Sequence, residues 1–183
     1  MSITSLVRHI FVPSGTKWAC CNVGANAPEE YGNYYAWGET QPKSVYNWDT
    51  YQYGSSSSNV VNIGSDIAGT GYDAATANWG TPWRMPSKTQ CEELVDNTTS
   101  ESTTQNGVNG LKFISSNGGS IFFPATGFRW DGELSAAGLR GLYWSSTFDK
   151  SYPYLAWDLF IVSGGLGTRN DNRDLGLSVR PVR

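Results

Sequence analysis

Along the chain, positions 155 to 162 form an apolar stretch interrupted by Asp158 alone. Leu155, Trp157, Leu159 and Ile161 fall on one side of an extended chain, and Ala156, Asp158, Phe160 and Val162 on the other, which predicts a strand. Two stretches without a period flank it: Phe148-Asp149-Lys150-Ser151-Tyr152-Pro153-Tyr154 and Thr168-Arg169-Asn170-Asp171-Asn172-Arg173-Asp174. Aromatic, amide, carboxylate and guanidinium groups mixed in this way read as loops. They also suit a recognition surface, because they offer contact area and adaptable hydrogen bonds at modest entropy cost.

The strongest helix signal is Ser87 followed by Gln90 at capping-box spacing, with Cys91, Leu94 and Val95 as the apolar stripe. That predicts a helix over residues 88–96 with Glu92 and Glu93 on its solvent side. Asp73 is placed to cap a short helix over Ala74-Ala75-Thr76-Ala77-Asn78-Trp79. Residues 27–32, with Pro28 early and Gly32 as the stop, predict a single helical turn. Strands are expected over residues 17–24, 111–115, 120–123 and 126–130, the middle pair forming a hairpin around Asn117-Gly118-Gly119. Residues 98–110 are polar and read as loop. Residues 40–71 are rich in Ser, Asn, Gly and Tyr and read as a long irregular region. Ser55 to Ser58 form its flexible tip, and Tyr46, Trp48, Tyr51 and Tyr53 tack it to the domain. Short helices followed by antiparallel strands make an α+β fold, without an internal repeat.

Composition narrows the function classes. The 183 residues carry 16% charged side chains and a net charge of −3, so nucleic acid is not expected as a partner. Aromatic residues reach 14%, which suits a β-rich binding domain outside the cell as well as a packed core. No run of about 18 apolar residues is present, so direct membrane insertion is not expected. Residues 1–12 read as an N-terminal leader without the features of a signal peptide, and residues 13–183 as one domain. Either Cys20 or Cys21 can pair with Cys91, leaving one thiol over, but three buried free thiols are the simpler reading.

Catalytic patterns are thin. The single histidine, His9, sits in the leader, which leaves no basis for a Ser-His-Asp triad, a histidine zinc site or a histidine base. Gly164-Gly165-Leu166-Gly167 has neither the lysine nor the helix of a phosphate loop. A glycoside-hydrolysis pair such as Asp131 with Glu133 or Asp158 has no motif behind it. Asp171, Asn172 and Asp174 offer oxygens to calcium but lack EF-hand spacing and read as solvated polar groups. No enzyme activity, cofactor or metal is expected.

Several segments agree, in order, with one family. They begin with Pro13-Ser14-Gly15-Thr16-Lys17-Trp18-Ala19, Asn22-Val23-Gly24-Ala25 and the run from Pro28 through Tyr34-Tyr35-Ala36-Trp37-Gly38-Glu39-Thr40. Tyr72-Asp73-Ala74-Ala75, Trp79-Gly80, Trp83-Arg84-Met85-Pro86-Ser87 and Phe123-Pro124-Ala125-Thr126-Gly127-Phe128-Arg129 follow. Tyr143-Trp144-Ser145-Ser146 and Ser178-Val179-Arg180-Pro181-Val182-Arg183 complete the series. Together they resemble the Fibrobacter succinogenes major paralogous domain family over residues 13–183. The resemblance implies a C-type lectin-like fold in the variant shared with formylglycine-generating enzymes. That fold has two short helices against a twisted antiparallel sheet, long irregular loops, and terminal strands paired near Trp18 and Val179. The enzyme relatives need reactive cysteines in the C-terminal part. This chain has none after Cys91, so that activity is not carried over.

The same fold hosts variable proteins of diversity-generating retroelements, in which template adenines are mutated. Codons of the AAC type then reach many residues, but not Lys, Gln, Glu, Met or Trp. Phe148, Asp149, Ser151, Tyr152, Tyr154, Asp158, Phe160 and Leu166 lie inside the reachable set, as do Thr168, Arg169, Asn170, Asp171, Asn172, Asp174 and Leu175. Lys150 and Trp157 lie outside it and read as fixed or as drifted. The candidate ligand-binding residues are the fifteen reachable ones with Trp157 as an added aromatic anchor, held on a frame of Trp144, Ser145, Ser146, Ala156, Arg180 and Pro181. The resemblance implies a binding or adhesin-like module for a protein or glycan ligand. Its place would be at a cell surface or on a phage virion, with any export signal or carrier outside this chain. A glycan-active enzyme and a structural subunit of a surface, pilus or phage-tail assembly are the rival readings.

Overall fold

Hydrogen bonding from the last eight residues organises the molecule. The computed structural model describes residues 7, 8, 10 and 12–183, with Val7 and Arg8 described by backbone alone; His9 lies outside the described residues. Lys17 and Arg183 exchange both backbone bonds at 2.9 Å, and Ala19 and Val23 donate to Pro181 and Val179. Tyr35 and Leu177 exchange a pair, as do Arg84 and Val182. Trp144 donates to Ser178 at 3.0 Å, and Gly176 exchanges bonds with Arg129. A single extended tail thus ties together five segments and satisfies their buried peptide groups. Where Gly176 passes Tyr46, a Cβ would stand 2.8 Å from the ring, so only glycine lets the tail lie this close.

The elements are β1 (Val7–Arg8), β2 (Trp18–Ala19), β3 (Gly54–Ser56), β4 (Asn59–Val60), α1 (Ala74–Trp79) and α2 (Lys88–Asp96). They continue with β5 (Thr98–Gln105), β6 (Val108–Ser115), β7 (Ser120–Pro124), β8 (Phe128–Trp130) and β9 (Glu133–Ser135), then β10 (Arg140–Phe148), β11 (Leu155–Val162) and β12 (Gly165–Asn172). The strand pairs are antiparallel, and the two helices are short: the fold is α+β and mostly β. Both helices start where their capping residues place them. Asp73, fully buried, accepts from Ala75 and Thr76 with one oxygen and from Gly69 and Met85 with the other. Ser87 and Gln90 form the reciprocal capping box.

The sheet β10-β11-β12 separates two cores. Directly paired residues share a face, so Leu142, Trp144, Ala156 and Phe160 look one way and Tyr143, Leu159, Ile161 and Leu166 the other. The first set packs with Val23, Tyr35, Trp37, Leu177 and Val179. The second packs with Cys91 and Leu94 of α2, Phe113 and Phe123 of the β5-β6-β7 sheet, and Trp18. A third cluster of Tyr34, Ala36, Tyr46 and Tyr51, with Tyr31, Trp48 and Tyr53 against it, pins residues 40–71 as expected. The Tyr46 hydroxyl donates to Tyr34 O at 2.6 Å and the Tyr51 hydroxyl to Trp37 O at 2.8 Å.

Four expectations need correction. Residues 98–110 are not loop: Thr98–Gln105 pair with β6 through a turn at Asn106 and Gly107, both at positive φ. The strand is nearly all polar because it lies at the sheet edge with little buried on either face, so β-branched threonines support it without a hydrophobic period. Residues 168–172 are likewise strand, paired throughout with β11. Residues 27–30 form a turn closed by Glu30 N to Ala27 O, not a helical turn. Of residues 17–24, only Trp18–Ala19 are strand. Cys20, Cys21 and Cys91 are all buried, and the Cys20 and Cys21 sulfurs lie 2.8 Å apart. From the leader, β1 pairs with β2, and Ile10 joins the core around Trp18.

Candidate functional site

The connection from β10 to β11 is fixed from two sides. Asp149, only 7% exposed, accepts through one oxygen from Ser151 N at 2.8 Å and Tyr152 N at 3.3 Å. Its other oxygen accepts from the Asn170 amide at 2.6 Å, which joins the loop to β12. On the far side Arg173, 1% exposed, donates to Pro153 O at 3.0 Å and Val61 O at 3.3 Å. Its Nε donates to the Tyr51 hydroxyl at 2.9 Å, and its guanidinium lies 4.6 Å from the Trp37 ring centroid. Held this way, the loop presents Ser151 and Tyr152 to solvent, with Tyr152 54% exposed. Tyr154 is half-buried and meets Tyr152 edge-on at 6.1 Å.

On the strand, Trp157 and Asn170 are directly paired and share a face with Thr168. Helix α2 borders that face. Lys88 Nζ stands 3.6 Å from the Trp157 ring centroid, Thr168 donates to Glu92 Oε1 at 3.2 Å, and Lys88 and Glu92 pair at 3.3 Å. Asp149, Ser151, Tyr152, Tyr154, Trp157, Thr168 and Asn170 therefore form one connected patch that crosses from loop to strand. Lys88 and Glu92 belong to it too. The sequence signal for them is their i,i+4 spacing on α2, beside the apolar stripe of Cys91, Leu94 and Val95.

Other candidates lie elsewhere. Arg169 and Asp171 point to the opposite face with Asp158, Arg169 pairing with Asp171 and standing 3.5 Å from Asp158 Oδ2. The Arg169 guanidinium also covers Phe160 at 4.1 Å. Asp158 is 0% exposed, and neither oxygen has a hydrogen bond among the described residues. Burial first, and the neighbouring Asp171 charge second, hold its carboxyl well above the usual range. Burial also raises Asp171, against the pull of Arg169. Asp174 is 2% exposed, and burial pushes it up to about 6. Asp158 and Asp174 thus offer no surface to a partner. Phe148, Phe160 and Leu175 are half-buried packing residues on one core, and Leu166 on the other. Asn172 sits in the ladder opposite Leu155, and its carbonyl accepts from Leu175 N. The six frame residues Trp144, Ser145, Ser146, Ala156, Arg180 and Pro181 are all buried.

Among the described residues no three His, Cys, Asp or Glu side chains gather as a metal site, and no helix is long and apolar enough to cross a membrane. No family model, no curated protein and no solved structure matches this chain.

Proposed function

We propose that this chain is a non-enzymatic ligand-binding and display domain with a C-type lectin-like fold of the formylglycine-generating-enzyme variant. On this reading it serves as a variable protein of a diversity-generating retroelement or as an adhesin-like module, at a cell surface or on a phage virion, and its ligand is a protein or glycan. The carrying observation is the patch itself. Exposed and half-buried aromatic and polar side chains stand on a loop whose backbone is held by buried Asp149 and Arg173. Fixed aromatics with adaptable polar neighbours bind at low ordering cost. The terminal pairing near Trp18 and Val179 and the helix opened by Ser87 support the fold reading, which rests on motif resemblance and geometry.

Arrays of glycans and of purified cell-surface proteins test it. The native domain is expected to capture a discrete ligand. Replacing Tyr152 and Tyr154 together by alanine abolishes capture while the unfolding midpoint shifts by no more than about 2 °C. Capture that survives the double change, or no capture on either array, contradicts the reading. One observation favours a structural subunit instead: Trp130 is 56% exposed, Leu134 39% and Leu139 74%, on and beside the β8–β9 hairpin. If Trp130→Ser and Leu134→Ser abolish self-assembly and the tyrosines do not matter, that role wins.

A further inference from the structure

The β3–β4 hairpin and the 149–154 loop enclose a cavity of about 540 Å³, a size suited to a small ligand. Two cations line it, Arg173 and Lys150, and no carboxylate does. Arg173 is 1% exposed, and its partners are all neutral: the Tyr51 hydroxyl and the carbonyls of Val61 and Pro153. A buried guanidinium without a protein acid is an uncompensated charge, which an anion in the adjoining space would neutralise. Asp149, next to Lys150 in sequence, is engaged by Ser151, Tyr152 and Asn170, and Asp174, next to Arg173, is outside the lining and forms no ion pair with it. Lys150 is exposed and makes no ion pair among the described residues.

The rest of the lining adds shape. Phe148, Val60 and Pro153 give an apolar wall, and Ser57, Ser58 and Asn62 give hydrogen-bonding groups at the hairpin side. The Asn62 oxygen is taken by Gly64 N at 3.0 Å, so its amide N–H is the group it can offer. Donors on one side and an apolar wall on the other match a carboxylate attached to a compact, partly apolar body. We infer that this cavity is a binding site for such an organic carboxylate, which engages Arg173 and Lys150 and lies against Phe148. The inference rests on the ligand-binding reading and names the chemistry its pocket takes. An acidic sugar and the free carboxyl end of a peptide share that chemistry.

Calorimetric titration with paired probes tests it: glucuronate against glucose, and a short peptide ending in Phe as the acid against its amide. At least one acid is expected to bind about tenfold tighter than its neutral counterpart, the preference falling as salt is raised. The pair that discriminates identifies the source. Lys150→Glu removes the preference. Ser58→Trp, at an exposed hairpin tip, fills the cavity and removes binding without touching Arg173, whose replacement threatens the fold. Equal binding of acid and neutral probes, no binding of either acid, or an unchanged preference in Lys150→Glu overturns the inference. Array capture that depends on Tyr152 and Tyr154 while the acids fail to bind leaves the display function standing and removes only this pocket. Acid binding with tyrosine-independent capture does the reverse.

Discussion

Strand β12 and the tail that follows it are near neighbours in the chain and carry opposite kinds of interaction. Every residue of Gly165–Asn172 is half-buried, and the strand pairs with one partner, β11. In the tail, Leu177, Ser178, Val179, Arg180 and Val182 are fully buried, and the backbone bonds of residues 177–183 reach Lys17, Ala19, Val23, Tyr35, Arg84 and Trp144. The tail is specified by long-range closure, so each side chain there is surrounded. The strand is specified by its ladder, which any side chain can enter. Its polar contacts, such as Thr168 with Glu92, are exposed enough that each contributes little. Identity matters in the tail and backbone matters at the edge, which is the physical requirement for a surface that can change its contacts without changing its fold.

The largest break in this contrast comes from Arg180. Its Nε donates to Asn22 Oδ1 at 2.7 Å, its Nη1 donates to Ala19 O and Cys20 O, and its guanidinium lies 4.4 Å from the Phe123 ring centroid. Arg180→Ala strands those acceptors and is expected to lose about 4 kcal/mol in urea unfolding. Next comes Asp174, at the junction of the two regions. Its carboxyl is raised by burial to about 6, opposed by Lys43 and reinforced by Asp131. A raised acid makes the fold take up protons, so its penalty is full above that value and relieved as pH falls toward the ordinary aspartate range. Asp174→Asn is expected to gain on the order of 2 kcal/mol at neutral pH, and that gain disappears by about pH 4. Unfolding titrations of both proteins across this window check the sign.

Asp149 sharpens the comparison, because it is the one loop residue buried like the tail. Asp149→Ala frees two loop amides and Asn170 and is expected to cost about 1–2 kcal/mol. Faster amide hydrogen exchange at Ser151 and Tyr152, with the tail unchanged, would accompany it. The smallest effect belongs to the edge: Ser151→Ala, Thr168→Ala and Asn172→Ala together are expected to move stability by less than about 1 kcal/mol.

What the sequence disclosed followed from how local the physics is. Ser87 with Gln90, Asp73, and the Asn117-Gly118-Gly119 turn act within a few residues and were legible. Thr98–Gln105 and the polar part of β12 were not, because an edge strand buries too little to imprint a hydrophobic period. Asp158 reads as a ligand-binding position, although the residues around it in β11 are apolar on both faces. Here β11 has a core on each side, so both of its faces are covered. Of the candidate residues, Tyr152, Tyr154 and Asn170 lie on one patch, while Phe148 packs against a core and Arg169 lies on the other face of β12. Lys88, Glu92 and Arg173 were missed because they reach the site through space, from a helix and from the strand's far end.

The contrast between tail and edge is tested most directly by a protease-resistance scan of every single substitution at two sets of positions. The first set is Trp18, Tyr35, Trp144, Leu177, Val179 and Arg180; the second is Ser151, Tyr152, Thr168 and Asn172. Most substitutions in the first set are expected to abolish resistance, and most in the second to preserve it. Equal intolerance in the two sets would contradict the account.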